Sequence, residues 1–177
     1  MLSATVPLGH ENIERQYIIT PKKFLILHTL SMGIYTVWWV YKVWRFLIQR
    51  NDSNANAALR TVFEIVYFIP RCTQILRLAK SRGYRRTYSP TILYLLYFFF
   101  VLLSLTPPPL FLFCIMSGLF FVQPLMAFNY ILSKSPELDV VIDRRFSVTE
   151  TIIAVLGGIW WLLIVIGLLA MTLDEQH

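Results

Sequence analysis

Three polar side chains interrupt the long apolar runs of this chain and are the first candidates for chemistry: His28, Gln123 and Asn129. A polar side chain at membrane depth is a candidate for lining a substrate or ion pathway. Otherwise it forms a hydrogen bond between helices that contributes about 0.6 kcal/mol. No Asp or Glu accompanies His28 in its apolar run, and Gln123 and Asn129 face different directions on a straight helix. The pattern favours hydrogen bonds between helices, with a polar pathway as the alternative.

Motifs for enzymatic chemistry are absent from the sequence. It contains no serine nucleophile elbow, no HExxH zinc motif, no phosphate-binding glycine loop and no carboxylate pair within an apolar run. No His or Cys stands at metal-ligand spacing, and Cys72 and Cys114 are typical of buried or lipid-facing thiols. We therefore expect no catalytic residue, no cofactor-binding residue and no metal. A lipid-modifying enzyme is the remaining enzymatic alternative.

A set of aromatic and basic side chains follows the first apolar run. Phe24–Tyr41 is eighteen residues without a formal charge, which makes about 27 Å of helix. The run ends in side chains that prefer the headgroup level of a membrane. The residues of this aromatic and basic motif are Gly33, Tyr35, Trp38, Trp39, Tyr41, Lys42, Trp44 and Arg45. We expect an interfacial belt in which Arg45 makes a cation–π contact with Tyr41, four residues before it.

Positive charge is concentrated in residues 42–88, which contain ten basic and two acidic side chains. The positive-inside rule places this loop in the cytoplasm. Basic residues near the inner leaflet attract anionic headgroups with about 1 kcal/mol each. The candidates for lipid contact are Arg71, Arg77, Lys80, Arg82, Arg85 and Arg86. Nucleic acid is not an expected partner because no groove-reading motif is present.

Composition indicates that these residues are carried by membrane helices. The chain has 177 residues, of which 56% are hydrophobic and 15% charged, against about 25% charged in a soluble domain. We predict an all-α integral membrane protein with three to four transmembrane helices. It comprises a tail at 1–19 and a single membrane domain at 20–177. The predicted spans are 24–47, 91–106, 110–132 and 151–173, with an interfacial helix at 56–79.

Helix starts are marked by local capping signals. Thr20-Pro21 and Ser89-Pro90 each combine an N-cap residue with proline at the first helical position. Ser147 and Glu150 fit a capping box at the start of the last span. These signals predict helices from about residues 21, 90 and 148.

The helix predicted at 56–79 is amphipathic. Its polar stripe, defined as Arg60, Glu64, Tyr67 and Arg71, follows the spacing i, i+4, i+7, i+11. Its apolar stripe consists of Leu59, Val62, Phe63, Val66 and Ile69. We expect this helix to lie on the inner leaflet with the polar stripe towards water and Pro70 kinking or ending its first half.

Gly33 leaves the topology of the first run open. It permits close packing of a continuous spanning helix, which is the favoured outcome because no proline accompanies it. The alternative is a bend that makes the run re-entrant. Loops 42–88 and 133–149 are predicted to be cytoplasmic, with the Pro107–Pro109 turn and the C-terminus outside. Thirteen of the sixteen basic residues then lie inside, and the side of the N-terminus depends on whether the first run spans or re-enters.

The aromatic and basic motif resembles a family signature. Gly33-Ile34-Tyr35-x-x-Trp38-Trp39-x-Tyr41-Lys42-x-Trp44 is similar to the Gly-Ile/Leu-Tyr-x-x-Tyr-Trp-Phe-Tyr-Lys-x-Trp pattern of an uncharacterised family of small multi-pass bacterial membrane proteins. Trp38 stands where that family more often has Tyr. The similarity continues around residues 58–63, 123–130 and 157–160. This resemblance implies a multi-pass protein of the bacterial inner (cytoplasmic) membrane, and it implies no reaction.

We therefore expect a non-enzymatic accessory or scaffold subunit of the inner membrane. It packs against a membrane-protein partner or forms a homo-oligomer, and its basic cytoplasmic face contacts anionic lipid. The alternative is a small transport or channel component that uses His28, Gln123 and Asn129.

The predicted orientation can be tested by thiol labelling. In a variant with Cys72 and Cys114 replaced by Ala, a cysteine at Ser81→Cys should react with an impermeant reagent only after the cytoplasmic side is opened. A cysteine at Gln176→Cys should react in intact spheroplasts. Reaction of Ser81→Cys in intact spheroplasts would contradict the orientation.

Overall fold

The computed structural model describes residues 15–51, 54–107, 110–136, 138–143 and 148–174. Within them the chain is almost entirely helical, so the all-α prediction is confirmed, with one two-stranded sheet added. The elements are β1 (Gln16–Ile19), α1 (Pro21–Leu30), α2 (Ile34–Arg50), α3 (Ala57–Val62), α4 (Glu64–Ser81), α5 (Pro90–Leu102), 3₁₀ segments at Leu103–Leu105 and Leu110–Phe121, α6 (Val122–Ser133), β2 (Val140–Asp143) and α7 (Val148–Asp174).

Two of the described helical segments are long and apolar enough to cross a membrane. They are Leu110–Ser133, which joins the longer 3₁₀ helix to α6, and Glu150–Met171 in α7. Pro90–Leu105 is apolar but shorter. The two longer segments correspond to two of the four predicted spans, 110–132 and 151–173, and are compatible with a protein of the membrane. The count of three to four spans stays a prediction.

The first apolar run turns back on itself. Met32 and Gly33, between α1 and α2, have left-handed φ values of 49° and 91°. The rings of Phe24 and Trp39 lie 5.5 Å apart, whereas residues fifteen apart on one continuous helix are separated by about 22 Å. The expectation of a continuous helix over 24–47 is therefore wrong. The bend at Gly33, the less favoured outcome, is the one observed, because glycine adopts positive φ without a steric penalty.

Local capping explains where two helices begin. The hydroxyl of Thr20 accepts a hydrogen bond from the backbone N–H of Lys23 at 3.3 Å. The hydroxyl of Ser89 accepts from Ile92 in the same way at 3.4 Å. Both predicted starts are confirmed. Ser147 of the predicted capping box lies outside the described residues.

The helix predicted over 56–79 is broken, although not at proline. The break falls at Phe63, which separates α3 from α4, while Pro70 lies inside α4 without ending it. The side chain of Asn56 caps α3 by accepting hydrogen bonds from the N–H groups of Ala58 and Leu59. Of the two predicted outcomes, Pro70 therefore does not end the first half, and a kink there stays a prediction.

The orientation of α3 and α4 is the reverse of the expected one. Val62 and Val66 of the apolar stripe are 78% and 67% exposed, whereas Arg71 of the polar stripe is fully buried. Arg60 is half-buried, with its guanidinium 4.7 Å from the ring of Trp44. Over α3 and the first two turns of α4, the polar stripe thus packs into the protein and the apolar stripe faces outward, which is compatible with apolar surroundings. In the second half of α4 the buried side chains are apolar and the basic ones are exposed.

The N-terminal tail pairs with the loop before α7. Residues 16–19, predicted as part of an irregular tail, form β1, which runs parallel to β2 with Gln16 opposite Val140. Arg15 donates a hydrogen bond to Asp139 at 2.6 Å, which raises the pKa of the guanidinium. The amide of Asn129 on α6 donates to the carbonyl of Ile19 at 2.7 Å. Tail and loop therefore lie at the same end of the helical bundle.

The segment after α4 reaches that end as well. Arg82 donates to the carbonyl of Ile131 at 2.9 Å, and the hydroxyl of Tyr130 donates to the carbonyl of Arg82 at 3.1 Å. Both α6 residues are close to its C-terminus. We call this end, formed by the sheet, residues 82–88 and the C-terminal ends of α2, α4 and α6, the basic end.

Helix α7 is attached mainly through α1. Trp161 donates from its indole N–H to the carbonyl of Thr29 at 2.9 Å. Gly157 approaches α1 so closely that a Cβ there would lie 1.9 Å from the carbonyl oxygen of Leu30, while a Cβ at Gly158 would meet nothing within 4 Å. Close contact at Gly157 therefore fixes α7 to the end of α1.

The two neighbouring glycines give a matched test of this attachment. Gly157→Ala should lower the free energy of unfolding by about 1–3 kcal/mol, because the methyl group collides with backbone that cannot rotate away. Gly158→Ala should be neutral or should stabilise the helix by up to about 1 kcal/mol. Unfolding in detergent, followed by tryptophan fluorescence, measures both. Equal effects of the two variants would show that α7 does not pack against α1 through Gly157.

Candidate functional site

A buried ion pair lies at the centre of the bundle. Glu64 and Arg71 are seven residues apart on α4, which is close to two helical turns and places them on one face. A guanidinium Nη of Arg71 lies 2.5 Å from a carboxylate oxygen of Glu64. The Arg71 side chain is 0% exposed and that of Glu64 is 12% exposed. The polar stripe thus supplies a charge pair to the interior.

Aromatic rings enclose the guanidinium of Arg71. The ring centroids of Trp39, Phe68 and Phe121 lie 5.4, 5.3 and 5.2 Å from its Cζ. The rings come from α2, α4 and the longer 3₁₀ helix, so one side chain contacts three elements. A desolvated cation–π contact contributes about 2 kcal/mol or more. Arg71 was predicted to contact lipid headgroups. That prediction is wrong, because its burial leaves no surface for a lipid.

The ion pair is incompletely satisfied within the described residues. Nε and Nη1 of Arg71 and Oε2 of Glu64 have no hydrogen-bond partner there. Burying an ion pair costs several kcal/mol per ion in desolvation, and an apolar replacement of similar volume is often as stable. A buried polar atom without a hydrogen-bond partner in the protein normally either has a functional role or binds a water molecule or an ion. The pair therefore marks this region as the candidate site.

A cavity of about 320 Å³ adjoins Glu64. At about 30 Å³ per molecule it has room for roughly ten waters. Polar side chains from seven elements line it. They are His28, Thr36, Thr61, Glu64, Tyr97, Ser104 and Ser117. The breaks at Met32–Gly33 and Phe63 lie beside these residues, so both interrupted helices contribute to the cavity.

His28 connects three of the elements around the cavity. Its Nδ1 lies 2.6 Å from the hydroxyl of Thr36, and its Nε2 lies 3.0 Å from the carbonyl oxygen of Ile115. A carbonyl oxygen only accepts, so Nε2 donates, and Nδ1 of the neutral ring accepts from Thr36. A Cβ at Gly118 would lie 2.3 Å from the ring, which explains the glycine. This is the arrangement expected of a hydrogen bond between helices.

The other two intramembrane polar residues lie elsewhere. Gln123 is exposed on the outside of α6. Asn129 is half-buried and contacts the end of β1 through Ile19. Neither lines the cavity that His28 lines. The structure therefore does not bring His28, Gln123 and Asn129 together.

The aromatic and basic motif divides between core and surface. Tyr35, Trp39 and Trp44 are buried, whereas Trp38 is 43% exposed. The predicted cation–π contact of Arg45 with Tyr41 is confirmed at 5.9 Å. A second cation–π contact, at 5.6 Å, joins Lys42 to Trp38. Gly33 is the bend described above. The motif is therefore an exposed or half-buried surface on one face of α2 and part of the core on the other, and its role as an interfacial belt stays a prediction.

A second buried ion pair was not found by sequence reasoning. Lys23 Nζ lies 2.7 Å from Glu150, and both side chains are less than a tenth exposed. The hydroxyl of Tyr35 donates to the same carboxylate at 3.0 Å. The pair joins the start of α1 to the start of α7. No local pattern in the sequence could signal it, because its partners are far apart along the chain.

The remaining lipid-contact candidates lie near the surface of the basic end. Arg77, Lys80, Arg85 and Arg86 are exposed, and Arg82 is half-buried and holds α6, as described above. Nearby, the buried Tyr88 donates to the carbonyl of Cys72 at 2.9 Å. Burial raises the pKa of this phenol, which keeps it a neutral donor.

No group of His, Cys, Asp and Glu among the described residues is arranged to hold a metal ion.

The chain matches no protein-family model, no curated protein sequence and no solved structure. Its resemblance to the family with the aromatic and basic signature stays a prediction. Function therefore has to be inferred from the geometry.

The buried ion pair can be tested with a double-mutant cycle. Arg71→Met and Glu64→Leu should each lower the free energy of unfolding by about 3–5 kcal/mol, because each leaves an uncompensated buried charge. The double variant should recover most of that loss. Denaturant titration of the detergent-solubilised protein measures the effects. Arg86→Met, at an exposed position after α4, is the control and should stay within about 0.5 kcal/mol of the wild type. Additive losses in the double variant would contradict the pairing.

Proposed function

We propose that this chain is a non-enzymatic accessory or scaffold subunit of the bacterial inner membrane. It packs against a membrane partner or a second copy of itself through α7, and its basic end faces the cytoplasm and contacts anionic lipid. The observation that carries the proposal is the low burial of α7, an apolar helix in which only 6% of the residues in the most apolar window of its candidate span are buried.

The exposed surface of α7 suits contact with another helix as well as with lipid. Leu156, Leu163 and Ile166 are each more than half exposed. Gly158 and Gly167 have open space where a Cβ would be. Small residues allow helix backbones to approach closely in a membrane, where van der Waals packing drives association. These positions are where we expect the partner helix to lie.

Charge supports the proposed orientation. The hairpin of α1 and α2 keeps Arg15, Lys22 and Lys23 at the same end as the basic loop. Three spans then follow, at Pro90–Leu105, Leu110–Ser133 and Glu150–Met171. The segments 103–107, 110–113 and 168–174, which lie towards the opposite end, contain no Lys or Arg. This distribution satisfies the positive-inside rule better than a continuous first span would.

Photo-crosslinking in native membranes tests the subunit proposal. A photoreactive residue at Leu163 on α7 should give a defined protein adduct, either with a partner or with a second copy. The same residue at Leu95, which is 60% exposed on α5, is the control and should label lipid alone. Gly158→Leu should reduce the adduct at Leu163 about tenfold, because the larger side chain separates the helices. Lipid labelling alone at both positions would contradict the proposal.

A small transport or channel component is the second candidate. The cavity beside Glu64 favours it, because interrupted helices that line a polar cavity form substrate and ion sites in transporters. His28 belongs to that cavity, whereas Gln123 and Asn129 do not.

Flux into liposomes separates the two functions. As a subunit without transport activity, the wild type should show the proton and solute flux of empty liposomes. A reproducible flux that is lost in Glu64→Gln and kept in Gln123→Ala would favour the transport candidate. Gln123 is a suitable control because it is exposed and lies away from the cavity.

A further inference from the structure

A second concave site lies at the basic end, between the C-terminal ends of α2 and α4. Its volume is about 320 Å³, within the range of small-molecule sites. Arg50 and Arg77 line it, together with the side-chain amide of Gln74 and with Leu47 and Leu78. The site is separate from the cavity beside Glu64, with which it shares no residue.

The charge of this pocket favours an anion. Two guanidinium groups contribute two positive charges, whereas the two helix C-termini contribute about half a negative charge each. No acidic residue lines the pocket among those described. Among the described residues and helix ends that line the pocket, the positive charge therefore exceeds the negative. Arg50 also contacts a neighbour within the chain, but a guanidinium has five N–H donors and can serve two partners.

The lining is amphipathic, which narrows the class of anion. Guanidinium groups bind phosphate oxygens in a bidentate manner, and the amide of Gln74 adds another donor. Leu47 and Leu78 offer apolar surface beside these donors. A free phosphate ion would leave that surface uncovered, whereas the glycerol and first acyl carbons of a phospholipid would cover it. The pocket also lies at the end of α2, after the aromatic belt that marks headgroup level.

We propose that this pocket binds the phosphate of one anionic phospholipid molecule, held by Arg50 and Arg77. The proposal rests on the orientation given above, in which the basic end meets the inner leaflet. It replaces a diffuse contact of many basic residues with one defined site. Arg50 was not among the sequence-based candidates for lipid contact.

The test uses the full chain, delipidated in detergent and titrated with phosphatidylglycerol, with bound lipid counted by native mass spectrometry. Arg50→Gln with Arg77→Gln should weaken binding about tenfold or more. Arg85→Gln with Arg86→Gln removes the same charge from exposed positions outside the pocket. This control should weaken binding less than about threefold. Ser81→Trp narrows the pocket without changing the charge and should also weaken binding. It serves as the test if the double variant does not fold.

The outcomes distinguish failure of the site from failure of the orientation. Equal losses in the two double variants, with no effect of Ser81→Trp, would overturn the pocket but leave lipid contact by the basic end. No loss in any variant would overturn the pocket and would also count against the lipid contact in the proposed function. Displacement of the lipid by an equal concentration of inorganic phosphate would show a phosphate-ion site and overturn the lipid as its ligand.

Discussion

The burial of Arg71 against Glu64 is the constraint on which the rest of this structure depends. An arginine cannot lose its charge, so its burial requires a counter-charge and polarisable surroundings. Glu64 supplies the first, and the rings of Trp39, Phe68 and Phe121 supply the second. Because these groups come from three elements, placing the guanidinium also fixes α2 and the longer 3₁₀ helix against α4.

The inward direction of the polar stripe is compatible with apolar surroundings. An amphipathic helix in water packs its apolar face inward. Helix α3 and the first two turns of α4 do the opposite, with Val62 and Val66 outside and Arg71 inside, whereas the second half of α4 buries apolar side chains and exposes basic ones. That arrangement is stable when the surroundings are apolar, because lipid accepts the valines and would reject the charge. The exposed apolar surface of α7 has the same explanation, and it leaves room for a partner helix.

Sequence reasoning predicted the elements better than their arrangement. Periodicity identified the stripe of Arg60, Glu64, Tyr67 and Arg71, and capping signals placed the starts of α1 and α5. Periodicity does not say which stripe faces inward, because that depends on the solvent. The bend at Gly33 rests on two left-handed residues, and a glycine permits such a bend without requiring it. The Lys23–Glu150 pair and the sheet join distant parts of the chain and leave no local signal.

The most direct test of this account is the environment of Val62 and Val66. Spin labels at these positions in liposomes report their access to oxygen, which partitions into lipid, and to a nickel chelate, which stays in water. The account predicts that oxygen relaxes both labels more strongly than the chelate does, whereas the chelate relaxes more strongly a label at Arg86, which is exposed at the basic end. Stronger relaxation by the chelate than by oxygen at Val62 and Val66 would mean that their stripe faces water. That result would contradict the lipid-facing orientation of α3 and α4.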